Sequence, residues 1–360
     1  MAAKLERANV TSEPRSAPVG AGASFHERHM RRRPLPVSVL TGYLGAGKTT
    51  LLNRILGERH GRRVAVIVNE FGQIGIDQKL VVQTDECVVE MNNGCICCTV
   101  RDDLITAVGA LLASGQEFDQ ILIETTGLAD PAPVIQSFFV AEPLVRGTRL
   151  DAIITVVDAY HVSQHWDAEE VREQIAFADI LLLNKGDLVP PGRLVELELQ
   201  VRGLNPLARI HRTLHSDVPL AAILDVGAFD LARALKLDPQ LLDDSAHQHD
   251  ESVGSVSLER RGAISERALN RWLHELVQAR GPDLYRFKGI LNVDDARRRF
   301  VLQGVHMLID GRPGTPWREG EDRLNQLVFI GKNLDRRELE RGFAACFAPP
   351  ARELSAEAGR

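Results

Sequence analysis

The chain has 360 residues, 44% hydrophobic and 26% charged, with a net charge of −6. That is an ordinary globular composition with length enough for two cored domains. Nothing in the charge balance advertises nucleic acid, and no apolar run reaches the ~18 residues that a membrane-spanning helix needs. Five cysteines, three of them clustered, make no disulfide framework and point instead to a reducing, cytoplasmic setting with metal or redox chemistry.

Residues 1–34 are rich in Ala, Ser, Gly, Pro and Arg, have no hydrophobic periodicity and include "HMRRRP" without the apolar core of a signal peptide. They read as a disordered tail, with an organelle-targeting peptide as the alternative. From Pro36 the pattern changes. "PVSVL", "RVAVIV", "QILIE", "AIITVVD" and "DILLLN" are short, nearly continuous apolar runs, the pattern of strands buried on both faces of a parallel sheet. Helical patterns separate them. In "TVRDDLITAVGALLAS" the apolar positions Leu104, Ile105, Val108, Leu111 and Leu112 line one face, and Thr99 with Asp102 resembles a capping box. This alternation predicts a doubly wound, mainly parallel α/β domain over residues 35–242.

The polar stretch "DDSAHQHDESVGS" has no apolar face and reads as a linker, placed at 243–252. After it, "SERALNRWLHELVQA" is an amphipathic helix with Leu269, Trp272, Leu273 and Leu276 inward. "LYRFKGILNV", "RRRFVLQGVHMLI" and "RLNQLVFIG" read as antiparallel strands, and "LDRRELERGFAACF" as a last helix capped by Asp335. A smaller α+β domain is expected over 253–348, with a tail over 349–360.

"GYLGAGKT", Gly42 to Thr49, matches G-x-x-x-x-G-K-[ST], follows an apolar strand and opens the helical pattern "TTLLNRIL". Gly42, Gly45, Ala46 and Gly47 let backbone amides close round a β-phosphate, and the helix start at Lys48, Thr49 and Thr50 adds its dipole. Lys48 supplies a point charge to the β/γ oxygens and the Thr49 hydroxyl ligates Mg²⁺. About 140 residues on, "NKGD" follows another strand. A carboxylate at Asp187 accepts both donors of a guanine edge, an arrangement adenine leaves unpaired; Asn184 and Lys185 complete the motif and make GTP the expected nucleotide. Between them, "ILIETTG" ends a strand on Glu124, the expected Mg²⁺ carboxylate, and Gly127 allows the backbone to approach the γ-phosphate. Asp158 also ends a strand and reads as a cap or orienting residue, with a direct role as second candidate acid the alternative.

Three cysteines, Cys95, Cys97 and Cys98, fall in "NNGCICC". Closely spaced thiolates suit zinc, and three sulfurs leave one position open, as transferable or catalytic metal requires. The loop ends at a helix N-terminus, which favours thiolate. Cys87 and Cys346 read as core. Thiolates favour Zn²⁺, with Co²⁺ held more weakly. The metal loop lies in sequence between the phosphate-binding loop and the γ-phosphate loop, so that each ligand can bias the other.

The set "GYLGAGKTT", "NEFG", "NNGCICC", "ETTGLADP" and "NKGDL" resembles the CobW-type family of P-loop GTPases, relatives of the nickel-inserting accessory GTPases of urease and hydrogenase. The resemblance spans about residues 36–347, since "NQLVFIGKNLD" also looks like that family's C-terminal domain. It implies slow hydrolysis of GTP to GDP and phosphate, coupled to delivery of Zn²⁺ or Co²⁺ to a client metalloprotein through the C-terminal domain. It implies Cys95, Cys97 and Cys98 as holders of the transferred metal and Glu70 of "NEFG" as a further ligand or γ-phosphate sensor. Many members carry Glu where this chain has Gln73. A histidine-rich tract common between the domains is reduced here to "HQHDE", with His247 and His249. No nucleic acid or membrane partner is expected, and a homodimer is left open. The rival reading is a GTPase regulator that senses zinc or redox state through the cysteine loop without transferring cargo.

Overall fold

The computed structural model describes residues 33–68, 88–90, 99–231, 253–294 and 296–347. The first sheet is assembled from β1 (Leu35–Thr41), β2 (Val64–Val68), β3 (Val88–Glu90), β4 (Gln120–Glu124), β5 (Thr148–Asp158), β6 (Ile180–Asn184) and β7 (Arg209–Arg212). Its order is β3-β2-β4-β1-β5-β6-β7 and every adjacent pair is parallel. Interleaved are α1 (Lys48–Gly57), α2 (Thr99–Ala113), α3 (Ala132–Val140), α4 (Glu142–Gly147), α5 (Val162–His165), α6 (Glu169–Phe177) and α7 (Pro191–Leu204). This is the doubly wound α/β domain that the apolar runs predict.

The runs are continuous because both sheet faces are covered. Leu40, Val66, Leu122, Ile154 and Leu182 pack with Leu51, Leu52 and Ile55 of α1. On the opposite face Val37, Val39, Ile67 and Ile123 meet Leu104, Val108 and Leu111 of α2 and Val134 and Phe138 of α3. Ile105 and Leu112 complete the predicted stripe of α2 at the edge of that cluster. The short strand β7 escapes the sequence pattern because it is an edge strand, "RIHR", only partly buried.

The second sheet is antiparallel, ordered β11-β10-β9-β12-β8. Its strands are β8 (Val253–Arg261), β9 (Leu284–Leu291), β10 (Arg298–Val305), β11 (Leu308–Pro316) and β12 (Leu324–Lys332), with α8 (Glu266–Arg280) and α9 (Arg336–Ala345). Two details differ from the sequence reading. The domain expected from residue 253 opens on β8, an edge strand that the sequence pattern does not show because the small residues Gly254 and Ser255 hide its pairing with β12. The run "RRRFVLQGVHMLI" is a hairpin, not one strand: His306 takes φ 50 and turns β10 into β11. Leu269, Leu273 and Leu276 of α8 are buried and Trp272 packs at their margin. The Asp335 side chain caps α9, accepting from the amides of Arg337 and Glu338.

One face of this sheet packs under α8 and α9, through Phe287, Leu302, Leu327 and Phe329. The other lies against the nucleotide domain, where Ile290, Val301, Val305 and Val328 share a cluster with Ile175 and Phe177 of α6 and Val201 of α7. The contact is also ionic. Asp179, fully buried, lies 2.5 Å from Arg286 Nη2 and 2.9 Å from Lys288 Nζ, and accepts the Ile153 amide at 2.9 Å. Burial works against this carboxylate, but the two cations outweigh it and hold it below the ordinary carboxylate range. Burial lowers Lys288 to about 8. The ring of Phe229 faces both cations, at 5.0 Å and 5.5 Å.

Candidate nucleotide-binding site

In a parallel sheet all strand ends of one sense share an edge. Here that edge carries the loops after β1, β4, β5 and β6, with β1 central, the place where α/β sheets bind ligands. The chain leaves β1 into Gly42–Gly47 and enters α1 at Lys48. Gly42, Gly45 and Gly47 have φ of 140°, 73° and 113°, a region that L side chains rarely adopt. Space forbids side chains as well: a Cβ on Gly42 would lie 2.2 Å from the Val156 carbonyl oxygen, and one on Gly47 2.4 Å from Asn184 Nδ2. No side chain caps α1 and its first turn holds no acidic residue, the setting in which a helix start receives an anion. Lys48 is 9% exposed, and its Nζ donates to the Gly42 carbonyl at 2.8 Å, which keeps the cation over the loop.

Asn184 ties this loop to two others. Its Nδ2 donates to the Ala46 carbonyl at 2.9 Å. Its Oδ1 accepts from the Ser216 amide at 2.8 Å and the Thr213 hydroxyl at 3.2 Å. Ser216 Oγ in turn donates to the Gly47 carbonyl at 3.1 Å. The expected guanine-reading segment is thus fastened to the phosphate loop, and the loop after β7 joins them. That loop, "TLHS", carries no spacing signal in the sequence. Lys185 takes φ 60 and Asp187 sits exposed in the short 3₁₀ turn Gly186–Leu188.

Asp158 is an orienting residue here, not a free acid. Its Oδ1 accepts the amides of Tyr160 and His161, at 2.9 Å and 3.1 Å, while Oδ2 lies 2.7 Å from Lys185 Nζ and 2.8 Å from His161 Nδ1. Burial opposes its ionisation, yet Lys185 and His161 prevail and hold the carboxyl below its ordinary range. His161, which has no ligand spacing in sequence, therefore belongs to the site's scaffold, and His165 stacks on Tyr43 of the phosphate loop with ring centres 4.9 Å apart. These groups line a cavity of about 240 Å³ behind the loop.

Glu124 ends β4 beside Leu40 and Val68, and is 7% exposed. With the half-buried Thr49 it gives a carboxylate and a hydroxyl at one sheet edge, hard oxygen donors that fit Mg²⁺. Beyond Glu124, Gly127 presses against the phosphate loop: a Cβ there would lie 2.8 Å from the Leu44 amide nitrogen.

The expected metal residues Cys95, Cys97, Cys98 and Glu70, with Gln73, Cys87, His247 and His249, lie outside the described residues. Their flanks are described. β3 ends at Glu90 and α2 begins at Thr99. Glu90 pairs with Val68, which pairs with Glu124. Two strand spacings of ~4.8 Å place the departure point of the cysteine loop about 10 Å from the Glu124 backbone, on the same edge. Among the described residues no His, Cys, Asp or Glu group forms a metal-binding cluster. Cys346 is core, 1% exposed, its thiol pushed up by burial to about 11.

A phosphate-binding loop, a strand-end carboxylate and an Asn-Lys-x-Asp segment on one parallel edge define a P-loop nucleotide-binding protein. The chain belongs to the CobW family: the profile "CobW/HypB/UreG, nucleotide-binding domain" matches residues 36–212 and "Cobalamin synthesis protein cobW C-terminal domain" matches 253–347. It is 34% identical to the zinc chaperone YjiA of Escherichia coli, over 86% of this chain and 98% of that protein. It is 32% identical to the zinc-regulated GTPase metalloprotein activator 1 of Schizosaccharomyces pombe, over 84% of each chain. The crystal structure of zinc-bound YjiA GTPase superimposes with a TM-score of 0.73 at 30% identity, covering 88% of this chain and all of that one.

Proposed function

We propose that this chain is a GTP-hydrolysing metallochaperone that binds Zn²⁺, with Co²⁺ as a weaker cargo, at Cys95, Cys97 and Cys98 and hands it to a client metalloprotein. One observation carries the reading. The loop bearing those cysteines leaves the same sheet edge as the phosphate loop and Glu124, two strands from the latter. The names of the relatives, zinc chaperone and zinc-regulated GTPase, fit it.

GTP binds with its phosphates on the Gly42–Thr49 amides and its base against Asn184, Lys185 and Asp187. Thr49 and Glu124 would hold Mg²⁺, which would supply charge neutralisation to the phosphates; Lys48 supplies the protein's own cation at the β/γ oxygens. Gly127 offers backbone to the γ-phosphate. The start of α2 directly after Cys98 favours the thiolate form that zinc needs. The C-terminal domain faces the client with surfaces away from the buried interface. The setting is cytoplasmic, and among the described residues no helix is long and apolar enough to cross a membrane.

The test is GTP turnover and zinc release to an apo-acceptor, compared in wild type and Lys48→Ala. The reading expects both to be lost together. Normal GTP turnover in Lys48→Ala refutes the nucleotide site; zinc-independent turnover with reversible oxidation of the cysteine loop refutes cargo transfer in favour of sensing.

A further inference from the structure

Helix α6 is gripped at both ends by the C-terminal domain and holds the "ETTG" loop at its middle. At its start, Glu169 pairs with Lys332 of β12. At its end, the Phe177 carbonyl accepts from Arg286 of β9, the residue that also meets Asp179. Between these points Gln174 is 1% exposed and faces the nucleotide side. Its Nε2 donates to two carbonyls, Gly127 at 3.0 Å and Ala129 at 3.2 Å, so both amide hydrogens are used. Its backbone carbonyl accepts the Thr155 hydroxyl at 2.7 Å, anchoring the same turn of helix to β5. Gly127 is therefore clamped between Leu44 of the phosphate loop and Gln174 of α6. Three residues further, Asp130 lies in the field of His306 and Lys332 from the C-terminal domain and Glu169 from α6.

We propose that Gln174 is a positioning residue for GTP hydrolysis, and that through it α6 links the state of the C-terminal domain to the backbone that meets the γ-phosphate. Nothing in the sequence marks it: a lone Gln in "VREQIAF" reads as an exposed helix position. The inference rests on the reading of Gly127 as the γ-phosphate contact. A donor pair on the Gly127 and Ala129 carbonyls, within the one turn that the Ala129 amide closes on the Thr126 carbonyl, fixes the orientation of its peptides. GDP has no γ-phosphate, so its binding does not depend on them. The loss of Gln174 then lowers kcat and leaves GDP affinity alone.

The experiment measures kcat and KM for GTP, and GDP affinity, on the full chain as wild type, Gln174→Met, Lys332→Met, the double variant, and Gly127→Ala. Methionine keeps the length of Gln174 and removes its donors. The proposal expects kcat to fall about tenfold in Gln174→Met, or about 1.4 kcal/mol, with KM and GDP affinity within about twofold of wild type. Lys332→Met removes the ion pair with Glu169 at the start of α6; with its melting temperature measured alongside, it lowers kcat about threefold in the wild-type background and has no further effect in Gln174→Met. Multiplying effects in the double variant overturn the link through Gln174. A parallel loss of GDP affinity in Gln174→Met overturns the positioning role and leaves Gln174 as scaffold. Unchanged kcat in Gln174→Met with a loss in Gly127→Ala refutes the inference alone; unchanged kcat in both refutes the Gly127 reading beneath it.

Discussion

Asn184 is the joint of the nucleotide site, and Asn184→Ala is its sharpest perturbation. The change removes three hydrogen bonds: to the Ala46 carbonyl, the Ser216 amide and the Thr213 hydroxyl. All three partners are on buried residues, at 0%, 0% and 3% exposure, so water does not readily replace the lost side chain. A buried neutral hydrogen bond contributes about 1 kcal/mol, and an orphaned partner costs about 1–3 kcal/mol. Discounting the longest bond and allowing local relaxation, we expect a total of about 2–4 kcal/mol. The bonds join the phosphate loop to the loops around the expected base site, so about half of the cost should appear as lost nucleotide affinity, roughly five- to thirtyfold. The rest should appear as a lower melting temperature. Titration with a fluorescent GDP analogue, alongside thermal unfolding of the nucleotide-free protein, separates the two. Thr213→Val, which removes only the 3.2 Å bond, should change affinity less than threefold. A folded Asn184→Ala protein that binds GDP within twofold of wild type would refute the argument that this side chain holds the site together.

The domain interface yields two further outcomes. Asp179→Asn leaves Arg286 and Lys288 as buried cations without a counter-charge and should cost about 3–5 kcal/mol in denaturant unfolding, whereas Lys288→Met retains the Arg286–Asp179 pair and should be within about 1 kcal/mol of wild type or more stable; the reverse order would contradict the assignment. Glu173 faces Asp130, Glu169, Lys332 and Tyr285, and burial, then those two carboxylates, raise it from 4.5 to about 7. A raised folded value means that the native state binds the proton more tightly, so this group's contribution is complete below pH 4.5 and is lost as pH rises through 7. Glu173→Gln should therefore match wild type in thermal unfolding near pH 4.5 and exceed it by about 1 kcal/mol at pH 8, after discount for partial solvent exposure; equal stability at pH 8 would refute the shift.

The sequence displays what periodicity and backbone chemistry encode. The apolar strands announce a sheet covered on both faces, and the glycines of "GYLGAGKT" sit where positive φ and close approach require them. It hides what depends on pairing between distant segments. In "LYRFKGIL" Arg286 and Lys288 alternate with Phe287, yet both cations are buried, because Asp179, more than 100 residues away in sequence, neutralises them. Gln174 and the "TLHS" loop act through side-chain hydrogen bonds to carbonyls and to Asn184, contacts with no spacing rule. His161 looks structural by spacing and is structural, but at the nucleotide edge rather than in a core.

The proposed function requires nucleotide and metal to be coupled across one sheet edge. The most direct measurement is Zn²⁺ and Co²⁺ affinity by competition with a chromophoric chelator, with GDP and with a non-hydrolysable GTP analogue, on wild type and on the Cys95→Ser/Cys97→Ser/Cys98→Ser variant. A chaperone cycle requires at least a tenfold difference between the nucleotides, about 1.4 kcal/mol of coupling, and loss of binding in the triple variant. An affinity indifferent to nucleotide, or binding that survives removal of the three thiols, would contradict it.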